Sequence, residues 1–472
     1  MKAHLPSAAA AAPAVEHGVS PVHIPTRDDG ASPELARAAA ALADRLGPAR
    51  IWHVNSTATG GGVAELLWSG IARQQALGLR VDWLIADAEP AFFQLTKRIH
   101  HGLHGRVDHP FTEHDARLYE ASTTRSAAQL AEFVRPGDLV VLHDPQTVGL
   151  APHLVALGVR VAWRCHIGTR SDVPAVAATW AFLRRYVEAV PHCVFTVADY
   201  APAYLAPARV SVITPSIDPE SPKNRLLTQA ECVELLAGIG LLRSPDALAT
   251  GAPDVGDDPV GYVVQDEPLV EGVPVVTQVS RWDPLKDLVG VLRAFAEGIA
   301  PRSAAHLLFA GPDPADIPDD PEGAGVFAQL RAFRESLPVE IRRRVHLAVL
   351  TLRRQTANAL AVNAIQRYST VVVQKSLEEG FGLTVTEAMW KSRPIVASAV
   401  GGLLTQVTHG VHGLLVEPDD LTGFADAVTG LLTHPARAAE LGAAAHRRCR
   451  DEFLSERETA DYLALYGAMS DH

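Results

Sequence analysis

The chain has 472 residues, enough for two or three domains, and its 47% hydrophobic and 20% charged residues are those of a soluble globular protein. A formal net charge of −12 argues against a nucleic-acid surface, because phosphate backbones demand clustered cations. No apolar run reaches the roughly 18–20 residues that span a bilayer, and Cys165, Cys193, Cys232 and Cys449 are scattered without a C-x-x-C pair. A disulfide framework or zinc site is therefore not expected, and a reducing, cytoplasmic location is.

Met1 to Ser32 carries an Ala-rich stretch after Lys2. Alanine and proline make a poor apolar core for a signal peptide, so 1–32 is expected to be a disordered or loosely attached tail. Short β-rich runs then alternate with amphipathic stretches: Arg50–Asn55, Leu79–Ile85, Asp138–His143, Val159–His166, Cys193–Val197 and Val210–Pro215. Segments such as Gly62–Leu77 and Ser126–Phe133 between them read as helices. Near-continuous apolar runs of this kind are buried parallel strands, and their alternation with helices signals a doubly wound α/β sheet. Ser244–Glu271, rich in Asp, Gly and Pro, reads as a linker or excursion.

A second series follows: Pro274–Ser280, His306–Gly311, Val345–Leu350, Ser369–Gln374, Arg393–Ser398 and Gly413–Val416. Gly311–Gly325, dense in Asp and Pro, reads as a long surface loop. The expected organisation is thus two Rossmann-like doubly wound domains, 33–258 and 259–450, facing across a cleft. A closing helical segment, 451–472, could pack on either domain and is expected to pack back on the N-terminal one. Ligands bind such pairs at the carboxyl ends of the strands.

Three runs carry chemistry. In His53-Val54-Asn55-Ser56-Thr57-Ala58-Thr59-Gly60-Gly61-Gly62 a strand ends and a helix follows. Glycine lets backbone amides approach a ligand, and a helix N-terminus favours an anion; an ordinary tight turn is the plain alternative. In Ser280-Arg281-Trp282-Asp283-Pro284-Leu285-Lys286-Asp287, Arg281 and Lys286 can close on a diphosphate, one as a fork and the other as a point charge, or simply be solvated. The run Gln374 to Trp390 is the most specific. Glu379 and Glu387 flank Gly380-Phe381-Gly382-Leu383, and two carboxylates suit the paired hydroxyls of a hexose and a ribose, with loop amides between them for phosphates.

With these runs in view the chain resembles GT4-type retaining glycosyltransferases, whose E-x7-E signature Glu379 and Glu387 match and whose phosphate-binding pair Arg281 and Lys286 match. Within that group it looks most like the trehalose glycosyltransferring synthase and retaining trehalose phosphorylase branch. The shared stretches are Val54–Glu65, Phe93–His100, His143–Gln146, Trp163–Ile167, Pro215–Asn224, Gln278–Asp287 and Gln374–Lys391. The resemblance implies a GT-B fold, with the second domain holding a nucleotide diphosphate sugar and the first an acceptor. Arg281 and Lys286 would neutralise the diphosphate, Glu387 would hold the ribose, and Glu379 with the Gly380–Leu383 amides the transferred sugar. Gly61 and Gly62 would close on the phosphates, while His166 would sit beside the donor sugar and Asp144 would bind the acceptor. Transfer would occur on the front face, without cofactor or metal. The partners implied are a nucleotide sugar and a small sugar-like acceptor, with no nucleic acid and no membrane, and a homodimer is left open.

Three departures fall near where an acceptor is expected, and the segment Thr96–Gly105 also differs. The relatives' Asp two positions after the histidine is Gly168 here, their Arg before Glu379 is Glu378, and Leu403 and Leu404 replace polar or basic residues. His101 and His104 stand where the relatives have amides. Three readings stay open at this point: a hexosyl, in the first place glucosyl, transferase making a trehalose-type linkage, a retaining phosphorylase, and a non-catalytic sugar-nucleotide-binding protein.

Overall fold

The computed structural model describes residues 18–25, 30–58, 62–106, 109–243, 260–317 and 322–471. Two seven-stranded sheets organise them. The first comprises β1 (Val19–Val22), β2 (Ile51–Asn55), β3 (Val81–Ala86), β4 (Leu139–His143), β5 (Arg160–Cys165), β6 (His192–Phe195) and β7 (Val210–Val212), in the order β1-β3-β2-β4-β5-β6-β7. The second comprises β8 (Gly261–Val264), β9 (Val275–Val279), β10 (His306–Pro312), β11 (Val345–Leu350), β12 (Val371–Gln374), β13 (Ile395–Ser398) and β14 (Leu414–Val416), in the order β14-β13-β12-β9-β10-β11-β8. All pairings are parallel except those of β1 with β3 and β8 with β11.

The apolar runs become central strands because helices cover both faces of each sheet. On one face of the first sheet Val54, Leu142 and Trp163 pack with Phe92, Ile99 and Leu183. On the other, Ile51, Trp83 and Val141 pack with Leu42, Ile71 and Tyr466. Chain progress reverses between β2 and β4 in the first sheet, and between β9 and β12 in the second. Crevices open at such switch points, beyond the strands' carboxyl ends. The glycine run follows β2, the Arg281–Lys286 run follows β9, and the Glu379 loop follows β12, so all three motifs gather where the topology leaves room.

The twelve expected strands are present, and the doubly wound α/β arrangement with them. The two further strands, β1 and β8, are antiparallel edges inside segments expected to be a tail and a linker. Pro21 within β1 is tolerable at an edge, where no ladder partner needs its N–H. The helix Gly323–Ser336 begins inside the expected Gly311–Gly325 loop. The helix Gln229–Gly238, ahead of the 258/259 boundary, packs through Leu236 with Val275, Leu308 and Ile365 of the second half.

The last helix, Ser455–Ser470, returns to the first sheet, with Tyr462, Leu465 and Tyr466 in its core. A buried ion pair anchors it: Arg164 Nη2 lies 2.9 Å from Glu458 Oε1, and Ser216 Oγ donates to Glu458 Oε2 at 2.5 Å. The four cysteines are free and buried. Among the described residues, no helix is long and apolar enough to cross a membrane.

Candidate active site

A cleft of about 320 Å³ is lined from both halves, by Gly62, His100, His104 and His166 of the first and by Arg281, Lys286, Glu378–Thr384 and Glu387 of the second. The loop after β9 is shaped by Asp283, whose Oδ1 accepts from Leu285 N at 2.8 Å and opens the short turn Pro284–Lys286. Arg281 Nη2 lies 3.2 Å from Asp283 Oδ2. Lys97 Nζ, on the helix Pro90–Leu103 of the first half, is 3.8 Å from the same oxygen. Burial pushes the Asp283 carboxyl up, but Arg281, Lys97 and Lys286 together hold it well below the usual carboxylate range. One buried anion thus lies among three cations, of which Arg281 and Lys286 line the cleft.

Lys286 Nζ reaches 2.5 Å from Glu379 Oε2, which also accepts from Gln374 Nε2 and Ser376 Oγ, each at 3.2 Å. At the two glycines of the loop between these glutamates the backbone has no room for a side chain. A Cβ on Gly380 would come within 2.9 Å of His166 O, and Gly382 has a φ of +93°. Gly382 opens the helix Leu383–Trp390 with no side-chain cap, which leaves its first amides available to an anion. The Phe381 ring packs edge-on against Phe453, with centroids 5.8 Å apart, and so anchors this loop.

Glu387, one helical stretch further on, is buried. Its Oε2 accepts from Gln366 Nε2 at 3.1 Å, and its Oε1 lies 3.4 Å from Lys223 Nζ. Lys223 also donates to both oxygens of Glu65 at 2.7 Å. Burial would lower the Lys223 pKa, but Glu387 and Glu65 hold it above the usual lysine range. Lys391 lies beneath, donating to Gln366 Oε1 at 2.8 Å and Asn224 Oδ1 at 3.1 Å. An adjoining space of about 490 Å³ shares Glu65, Lys223, Asn358 and Glu387 with the cleft.

On the first half, Gly62 lines the cleft, and a Cβ there would meet Leu383 Cδ1 at 3.0 Å. Gly61 lies outside the described residues. His166 lines the cleft through a nearly buried ring. Asp144 does not: it sits at the end of β4 with a φ of +61°, and its Oδ1 accepts from His166 N at 2.7 Å. Burial raises its carboxyl to about 7, against the opposing pull of that hydrogen bond and of Arg164. Glu378 lines the cleft and accepts from Thr169 Oγ1 at 3.1 Å, and burial raises its pKa. Leu403 is core, while Leu404 is exposed. His104 faces Glu379 and Lys286, and burial lowers its pKa to about 4.

Lys97, His100, Lys223 and Tyr200 were not singled out from the sequence. Tyr200 donates from its hydroxyl to Gly380 O at 3.0 Å and Glu379 O at 3.3 Å, tying the two halves together. The stretches Phe93–His100 and Pro215–Asn224 did carry Lys97, His100 and Lys223, but nothing local marks which of their side chains reach the other half.

Residues 53–202 match the model of the trehalose synthase N-terminal domain, and residues 264–448 that of the group 1 glycosyl transferases. A trehalose synthase of Rubrobacter xylanophilus is 33% identical over 91% of this chain and 92% of its own. A trehalose phosphorylase of Pleurotus pulmonarius is 26% identical over 90% of this chain and 58% of its own. The structure of a UDP-forming α,α-trehalose-phosphate synthase from Burkholderia vietnamiensis, 17% identical, superposes with a TM-score of 0.65 over 89% of this chain and 99% of that one. Two doubly wound sheets meeting at their switch points in this way are the GT-B fold of a glycosyltransferase. The chain belongs to the trehalose synthase family, and its chemistry is a trehalose-related glycosyl transfer.

Proposed function

We propose that the chain is a retaining, GT4-type transferase that moves a hexose, in our reading glucose, from a nucleotide diphosphate sugar to a neutral sugar-like acceptor. The observation that carries this reading is the convergence of Arg281, Lys286, Glu379 and Glu387 on one cleft beside the uncapped start of the helix Leu383–Trp390. Arg281, Lys286 and the first helix amides hold the diphosphate. Glu379 takes hydroxyls of the transferred sugar, Glu387 those of the ribose, and Gly62 approaches the phosphates from the other half.

In the reaction the bond from the sugar's C1 to the leaving phosphate oxygen breaks as the bond from C1 to the acceptor oxygen forms on the same face. The acceptor's hydroxyl proton passes to the departing diphosphate. The protein's contribution is alignment and electrostatic stabilisation of the leaving group. Arg281 and Lys286 supply the positive charge there, so no divalent metal is required.

The test is a donor-by-acceptor screen, with NMR of the first-formed product and a parallel reaction in EDTA. An α-linked disaccharide from an α-donor, formed equally with EDTA, supports the reading. A β-linked product would overturn it, as would binding without turnover. Phosphate-dependent cleavage of trehalose, with no synthesis from any nucleotide sugar, would make the enzyme a phosphorylase like the Pleurotus relative.

A further inference from the structure

His166 ends a line of three stacked imidazoles carried by adjacent strands. His53 lies on β2, His143 closes β4, and His166 follows β5 by one residue. The rings of His53 and His143 are 5.2 Å apart at 26°, and those of His143 and His166 are 5.3 Å apart at 18°. Hydrogen bonds join them in series. His166 Nε2 lies 3.0 Å from His143 Nδ1, and His143 Nε2 lies 2.9 Å from His53 Nδ1. His53 Nε2 lies 2.8 Å from Tyr466 Oη, whose hydroxyl donates to Gln74 Oε1 at 2.8 Å. Tyr462, edge-on to His53, has its hydroxyl oxygen taken up elsewhere, accepting from Arg164 Nη1.

Burial, reinforced by Arg164, holds all three imidazoles neutral, with His53 lowered to about 3. A neutral imidazole has one N–H and one lone pair, so each link carries a single proton and one end dictates the rest. At the far end Tyr466 spends its proton on Gln74 and must accept from His53 Nε2–H. His53 Nδ1 then accepts from His143 Nε2–H, and His143 Nδ1 accepts from His166 Nε2–H. We propose that Gln74, Tyr466, His53 and His143 form a positioning relay that fixes His166 as the Nε2–H tautomer, presenting Nδ1 to the cleft as an acceptor for a sugar hydroxyl. The sugar contact rests on the function proposed above; the tautomer does not.

The test is two-bond 15N–1H NMR on the full chain labelled at histidine nitrogens, with signals assigned by single His→Gln variants. In the unsubstituted protein, His53, His143 and His166 should all carry the proton on Nε2. Gln74→Met keeps the volume but removes the acceptor, so Tyr466 should donate to His53 Nε2 and invert the whole line. His166 then carries its proton on Nδ1, and kcat falls about fivefold, the worth of one neutral hydrogen bond. Tyr466→Phe, which removes the end of the line, should give a mixture of tautomers at His166. An Nδ1–H on His166 in the unsubstituted protein, or an unchanged tautomer in Gln74→Met, overturns the relay. Inversion with unchanged turnover keeps the relay and instead removes His166 from the sugar.

Discussion

The ring of Tyr200 occupies the space that a side chain at position 168 would need: a Cβ on Gly168 would lie 2.4 Å from Tyr200 Cγ. The tyrosine is held there from the other side, where its hydroxyl donates to Gly380 O at 3.0 Å. The Asp that the family resemblance implies at this position and the present Tyr200 are therefore mutually exclusive without rearrangement. Gly168→Asp should lower stability by roughly 2–4 kcal/mol, as an overpacked and partly desolvated site does. Thermal unfolding of Gly168→Asp, Tyr200→Ala and the double variant checks this: Gly168→Asp should cost less in the Tyr200→Ala background than in the unsubstituted protein, and an equal cost in both backgrounds would refute the steric account.

The proposed diphosphate clamp should be costly to break. Replacing Arg281 or Lys286 by Ala removes a charged hydrogen bond, so each should lose at least about 2 kcal/mol of transition-state stabilisation, read as kcat/KM. Lys286→Ala also strips Glu379 of the cation 2.5 Å away. Near-normal kcat/KM in both variants would remove the clamp from the reaction.

The two glutamates should separate by calorimetry. On the proposed reading Glu387→Ala should weaken binding of the nucleoside diphosphate alone, because its partner there is the ribose. Glu379→Ala spares that binding and weakens the sugar-bearing donor or its turnover. The reverse pattern would mean that the roles are exchanged.

Glu378 faces the cleft, where its negative charge should repel a sugar phosphate and tolerate a neutral hexose, an amino sugar or a cyclitol. Glucose should therefore outcompete glucose 6-phosphate at equal concentration, and Glu378→Gln should narrow the preference. Preferred use of the phosphate would show that this carboxylate does not select the acceptor.

Asp144 makes stability depend on pH. Its folded-state carboxyl is raised to about 7 by burial, so the folded protein binds a proton more tightly than the unfolded chain does. Its stabilising effect is full below the ordinary carboxylate range and is lost as pH rises from about 4 to about 7. Asp144→Asn retains the acceptor for His166 N–H without the charge, so it should gain in Tm relative to the unsubstituted protein across that window. A constant difference between pH 4 and pH 7 would contradict the shift.

The sequence alone determined what is local. The ten interior strands, β2–β6 and β9–β13, were legible because strands covered on both faces are apolar along nearly their whole length. The edges β7 and β14 were legible because they continue the alternation with helices, whereas VSPV and GYVV lie in segments whose composition reads as tail and linker. Arg281 with Lys286, and Glu379 with Glu387, stand out because each pair sits within one turn or one loop-to-helix segment, so spacing alone brings them together. What joins distant strands is another matter. His53 meets Tyr466 across a separation of 413 residues, Lys223 meets Glu65 across 158, and Tyr200 meets Gly380 across 180. A buried polar group must find a partner, but its identity is settled only when the sheets twist, the two halves close and the last helix returns to the first sheet. For that reason Asp144, which in sequence resembles an acceptor-binding carboxylate, is found bonded to the backbone of His166.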